Sequence, residues 1–193
     1  MREVRFAALE GFDTVGDGMT FSGLAIPYNQ PATITGDTKK PYDEVFRMGA
    51  FAKTLQERWA SKPVPLMQSH DYRSWGIGYA KYLAETPEGL RGEWQLSDVP
   101  AGRDASVLIR DRVVSGLSIG FEPMGNKITR AQDRAEGRDL VERTEVRLFE
   151  VSLCTFPAYE LAGVTGQRSE GPSLADLAQS RLALVDRFGR IQR

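Results

Sequence analysis

The chain has almost none of the residues from which metal centres and disulfides are built. Its 193 residues include one cysteine, Cys154, and one histidine, His70. A lone cysteine excludes an intrachain disulfide and suits a reducing compartment. A structural Cys/His zinc centre, which needs a full set of such ligands, is excluded with it, and neither metal nor cofactor is expected. Charge of one sign is missing too. The 25 Lys and Arg nearly balance the 26 Asp and Glu, for a formal net charge of −1. Nothing therefore points to nucleic acid or an anionic membrane as a partner. No apolar run approaches the roughly 20 residues that cross a bilayer. The opening MREVRFAALEGF carries charges where a signal peptide has its apolar core, so no leader is expected. No G-x-S-x-G elbow, phosphate-binding loop, repeat or low-complexity tract occurs. Any imidazole chemistry must use His70.

What is present reads as a globular fold. Residues 4–8 and 19–27 have strand patterns separated by the turn-rich GFDTVGDG, and residues 28–43 read as an exposed loop. In MGAFAKTLQERWAS, Phe51, Leu55 and Trp59 recur every fourth residue on one helical face, and Pro63 ends that helix. VPLMQSHD predicts a short buried strand ending at His70, and residues 76–83 and 90–96 predict strands around the turn ETPEG. A second helix is expected after Ser97-Asp98, with Pro100 in its first turn, an apolar face of Ala101, Ala105, Leu108, Ile109 and Val113, and Gly116 as its stop. GNKITRAQDRAEGRD reads as a polar loop, and residues 140–148 and 150–156 as two strands. The stretch 172–188 carries a capping signature at Ser173 and Asp176, an apolar stripe, and a Gly189 stop, which predicts a last helix. The sum is an α+β fold: a mainly antiparallel sheet or barrel surrounded by helices.

Three side chains stand out within this frame. In VVSGLSIGF, alternation puts Leu117, Ile119 and Phe121 on one face of a strand and Ser118 and Gly120 on the other. Gly120 would let a substrate backbone approach Ser118, although close packing also explains small residues there. Ser115 shares that face only if the strand runs back through Gly116. His70 could serve as a general base or sit as a satisfied structural histidine. Asp71, its neighbour, would point to the opposite face of a strand. Glu150 lies in the apolar run LFEVSLCTF, where a carboxylate is costly unless paired, either with an arginine or with an imidazole. Glu142 and Glu145 compete for that role but lie in the polar run VERTEVR and read as solvated. Cys154 reads as a packing residue.

In series, GAFAKTL, LMQSHD with WGIG behind it, SGLSIGF and LFEVSLCTFPA resemble the prohead (capsid maturation) serine proteases of tailed bacteriophages, which share a fold with the herpesvirus assemblins. The resemblance covers roughly residues 3–165. It implies a herpesvirus-protease-like domain over residues 1–165; residues 166–193 are expected to be a C-terminal helix and tail, either part of the same domain or removed by self-cleavage. It also implies a serine endopeptidase with Ser118 as nucleophile, His70 as base and Glu150 as acid, Glu145 being the alternative acid. Oxyanion donors are then expected in residues 157–160. The implied substrates are the scaffold segment of the major capsid protein, other prohead proteins and the protease itself, with the portal protein a further candidate partner. The implied setting is the prohead in the host cytoplasm, and the implied state a homodimer through a helix such as 172–188. The rival reading is a catalytically inactive prohead assembly protein that binds capsid subunits.

Overall fold

A computed structural model describes residues 3–8, 18–35, 40–58, 62–114 and 116–155. These residues belong to a unit spanning Met1–Glu160. The order is β1 (Glu3–Ala8), β2 (Thr20–Pro27), β3 (Ala32–Ile34), β4 (Tyr42–Phe46), α1 (Ala52–Arg58), β5 (Pro65–Gln68), β6 (Gly78–Thr86), β7 (Gly89–Leu96), α2 (Pro100–Arg110), β8 (Gly116–Thr129) and β9 (Leu140–Cys154). The strands form one curled, mixed sheet, a half-barrel, in the order β1-β8-β9-β5-β6-β7-β2, with β4 also on β9 and β3 on β4. Most pairings are antiparallel, as the sequence suggests, but β4 and β5 both run parallel to β9. The expected surround of helices is not what the described residues show. They contain two α-helices and one 3-10 turn, Ala131–Asp133, and the last expected helix, 172–188, lies outside them.

Apolar alternation on the strands fills one side of the sheet. Phe21, Ile26, Leu66, Leu90, Trp94, Leu96, Leu117, Ile119, Phe121, Leu148 and Val151 are all buried in one core. Phe51, just ahead of α1, stacks against Phe46 and Tyr28 and joins α1 to that core. Trp59 lies outside the described residues. On α2 only Gly102, Ala105 and Ile109 are buried, while Ala101, Leu108 and Val113 of the expected face are exposed. The helix ends at Arg110, and Arg112 takes the left-handed turn (φ 59) in place of Gly116, which instead opens β8.

Three further expectations are corrected. Within the presumed loop 28–43 lie β3 and the start of β4. The presumed loop GNKITRAQDRAEGRD is strand over its first third, because β8 runs to Thr129, and the remainder is a 3-10 turn and loop. Ion pairs hold this polar hairpin in place: Arg134 and Arg138 both reach Asp43, and Arg143 reaches the buried Glu44. The two strands expected on either side of Phe149 are one, β9, with an irregularity between them. Gly120 faces Glu150 while Phe121 faces Leu148, so Phe149 is an extra, bulged residue. The bulge changes the parity of the strand. Val146 and Leu148 face the core before it, and Val151 and Leu153 after it. Glu150 is thereby moved to the opposite face, together with Ser152.

Candidate active site

Three neighbouring parts of the sheet each deliver one side chain to that opposite face. On β8, Ser118 lies directly across from Ser152 of β9, and Gly120 lies across from Glu150. On the other side of β9, β5 runs parallel to Val151–Leu153 and stops at Gln68. The chain then turns sharply, with Ser69 and His70 both in the left-handed region (φ 47 and 56). Such a conformation costs a non-glycine residue on the order of 1 kcal/mol or more and persists only where surrounding contacts enforce it. Two contacts to β9 do so: the Ser69 N–H donates to the Leu153 carbonyl, and the His70 N–H donates to Ser152 Oγ, both at 3.0 Å. His70 is therefore not a strand residue, contrary to the sequence reading. It is folded back over β9.

The imidazole bridges the two other candidates. Its Nε2 is 2.5 Å from Ser118 Oγ and its Nδ1 is 2.6 Å from Glu150 Oε1. A carboxylate only accepts, so the ring proton belongs on Nδ1, and Nε2 is left to accept the serine hydroxyl. Ser118 and Glu150 are buried. Among the described residues, no arginine pairs with Glu150. Its Oε1 also accepts the Tyr72 hydroxyl at 3.2 Å, and its Oε2 accepts Ser152 Oγ–H at 2.8 Å. Ser152 thus holds both the Glu150 carboxylate and the His70 backbone.

Gly120 makes room for this set rather than leaving space for a substrate. A Cβ there would stand 2.1 Å from Glu150 Oε1 and 2.7 Å from the Tyr72 oxygen. The sequence reading singled out Ser118, His70 and Glu150, which the structure brings together, but not Ser152 or Tyr72. The period-two pattern of E-V-S, two residues from Glu150 on the same face, was the available signal for Ser152. Nothing in HDY distinguishes Tyr72 before the turn is known.

The other acids are engaged elsewhere. Asp71 accepts from Ser74 Oγ at 2.6 Å and from the Arg73 backbone N–H at 3.1 Å, and these bonds hold its carboxyl below the usual range. Glu145 pairs with Lys53 at 3.3 Å on the surface. Glu142 is not solvated as expected but buried, and its hydrogen bond from Arg47 holds its carboxyl low. Cys154 is buried, and burial first, then the nearby Glu150 charge, push its thiol up to about 12. It stays protonated at neutral pH and is a poor nucleophile. Ser115 and the expected oxyanion segment 157–160 lie outside the described residues. Among the described residues, no group of three or more His, Cys, Asp or Glu is placed to hold a metal ion, and no helix is long and apolar enough to cross a membrane.

Comparison with known proteins bears on this geometry. The family model described as caudovirus prohead serine protease matches residues 8–174. The prohead protease of Enterobacteria phage HK97 is 30% identical over 159 residues, which cover 80% of this chain. Those residues span 63% of the HK97 protein, just under two thirds of its length. Among solved structures, the bacteriophage T4 capsid assembly protease, gp21, superposes with a TM-score of 0.54 over 81% of this chain and 98% of that one. At 10% identity that likeness is one of fold.

Proposed function

The chain belongs to the caudovirus prohead serine proteases, and from that membership we propose that it is a serine endopeptidase of capsid maturation with a Ser118–His70–Glu150 triad. The observation that carries the reading is the single imidazole bonded through one nitrogen to a buried serine and through the other to a buried carboxylate. In this reading His70 Nε2 takes the Ser118 proton as Oγ attacks a peptide carbonyl, and Glu150 stabilises the imidazolium that forms. The imidazolium then protonates the leaving amine, the C–N bond breaks, and water hydrolyses the acyl-serine by the reverse use of the same base. Backbone N–H groups in residues 157–160 would face the oxyanion, a role typically worth a few kcal/mol per donor. Pro157 donates nothing.

The substrates in this proposal are the scaffold segment of the major capsid protein, other prohead proteins and the chain itself, with the portal protein a further partner. The work is done inside the prohead, within the host cytoplasm, by a homodimer with an assemblin-like fold. Residues 1–165 form the protease domain, and 166–193 a helix and tail open to self-cleavage. The test is to incubate the purified chain with the capsid protein of the same virus and identify products by mass. In parallel, the chain is exposed to a serine-directed phosphonylating reagent. Cleavage, its block by the reagent, and a single modified residue at Ser118 are the expected results. Intact capsid protein together with an unmodified Ser118 would overturn the proposal.

Gly120 supplies a sharper local test. Gly120→Ala pushes a methyl group into the Glu150 carboxylate, which must move or tilt. A misplacement of about 1 Å at such a site costs on the order of 100-fold in turnover. The overpacking itself costs about 1–3 kcal/mol, so a fold that survives with a modestly lower Tm and roughly 100-fold less cleavage is expected. Full activity in this variant would mean that the carboxylate over Gly120 takes no part.

A further inference from the structure

Tyr72 is the one described side chain that touches the acid from the solvent side. It sits in the turn that follows His70, with its residue 46% exposed, while the carboxylate it reaches is buried. Its hydroxyl donates to Glu150 Oε1, the same oxygen that accepts from His70 Nδ1. Its ring lies 6.5 Å from the imidazole, tilted by 40°. Its oxygen also occupies the space above Gly120. The other carboxylate oxygen, Oε2, is already held from within the sheet by Ser152. Rotation about the last side-chain bond moves both carboxylate oxygens together, so the Ser152 bond to Oε2 and the Tyr72 bond to Oε1 act jointly to hold the orientation in which Oε1 meets Nδ1.

We propose that Tyr72 is a positioning residue for the proposed triad: its hydroxyl fixes Oε1 of Glu150 in line with His70, and its ring shields the Nδ1–Oε1 bond from water. The hydroxyl and the ring make separable contributions. Tyr72→Phe keeps the cover and removes the donor. Tyr72→Ala removes both. The charged and titratable groups around the bond are Glu150 and Cys154 from β9, with Ser118 from β8 beside the ring. Asp71 and Arg73 of the same turn bond to each other. Arg73→Ala therefore changes the turn without touching the acid and serves as the control.

The experiment has two arms. The first uses the fact that the chain contains a single histidine. In protein carrying nitrogen-labelled imidazole, the exchange of the Nδ1 proton with water is read directly by NMR, with no ambiguity of assignment and no need for turnover. Exchange is expected to speed up by about threefold in Tyr72→Phe and by roughly tenfold or more in Tyr72→Ala, and to stay unchanged in Arg73→Ala. Exchange at the parent rate in Tyr72→Ala, with a parent-like Tm, would overturn the inference. The second arm, which alone rests on the proteolytic reading, measures kcat and KM on a cleavable capsid peptide. A hydrogen bond to a charged group lost at this position predicts about a tenfold fall in kcat for Tyr72→Phe with KM unchanged. A raised KM with unchanged kcat would instead place Tyr72 against substrate and overturn its positioning role. Accelerated exchange in a protein that never cleaves peptide would uphold the positioning of the acid and sink the proteolytic reading.

Discussion

Replacing Ser118 with alanine is expected to stop processing of co-expressed capsid protein while uncleaved shells still assemble. The change removes only the oxygen proposed to attack. Ser118 sits on β8 among buried neighbours, and an alanine there is smaller, apolar and well suited to the strand. The fold should be intact, so a loss of assembly would not be explained by misfolding. Loss of a triad nucleophile lowers turnover by something on the order of 10^4- to 10^6-fold. Ser115→Ala is the companion experiment and is expected to process capsid protein at the parent rate. Shell proteins are resolved by gel and mass after the two variants and the parent are each expressed with the capsid protein. Equal cleavage in all three would remove Ser118 from the reaction and return the assembly-protein reading to the front.

Glu150→Gln is expected to be nearly as damaging. The amide has almost the shape of the carboxylate, so the seat above Gly120 stays filled. It can, however, turn its N–H₂ toward His70 Nδ1, which then must accept rather than donate. That traps the imidazole in the tautomer whose Nε2 carries the proton and cannot take one from Ser118. The neutral amide also gives no charge to stabilise an imidazolium. Such a substitution lowers turnover by about 10^4-fold in an analogous triad. Glu145→Gln breaks only the surface pair with Lys53, whose side chains are 42% and 57% exposed. Pairs of that kind contribute about 0–1 kcal/mol, so cleavage within about twofold of the parent is expected. If Glu145→Gln is the inactive variant, the acid has been assigned to the wrong residue of β9.

These residues were legible in the sequence to the extent that a period of two was legible. Alternation in LSIGF put Ser118 and Gly120 on one face, and the structure keeps them there. The same rule failed on β9 because Phe149 inserts an extra residue. No residue type announces a bulge of this kind, so one strand was read as two. His70 was read as the end of a strand because Ser69 and His70 are not residues that favour the left-handed conformation they adopt. What enforces it is hydrogen bonding to β9, more than 80 residues away in sequence. The hairpin of β8 and β9 was partly read as a loop for a different reason. Polar strands held by ion pairs to Asp43 and Glu44 have the composition of a loop. The face of α2 was misjudged because only one narrow stripe, Gly102, Ala105 and Ile109, meets the sheet.

The parallel pairing of β5 with β9 also sets when His70 can meet Ser118 and Glu150 in a newly made chain. His70 is separated from Ser118 by 48 residues and from Glu150 by 80. Contacts of such long sequence separation form slowly, since most of the chain must be ordered before they close. Among the described strands, β9 leaves the ribosome last, yet it is the strand on which both His70 and Ser118 depend for their alignment. Until it docks, the chain carries a serine with no base beside it. On the proposed reading, hydrolytic competence would therefore arrive only with the completed sheet.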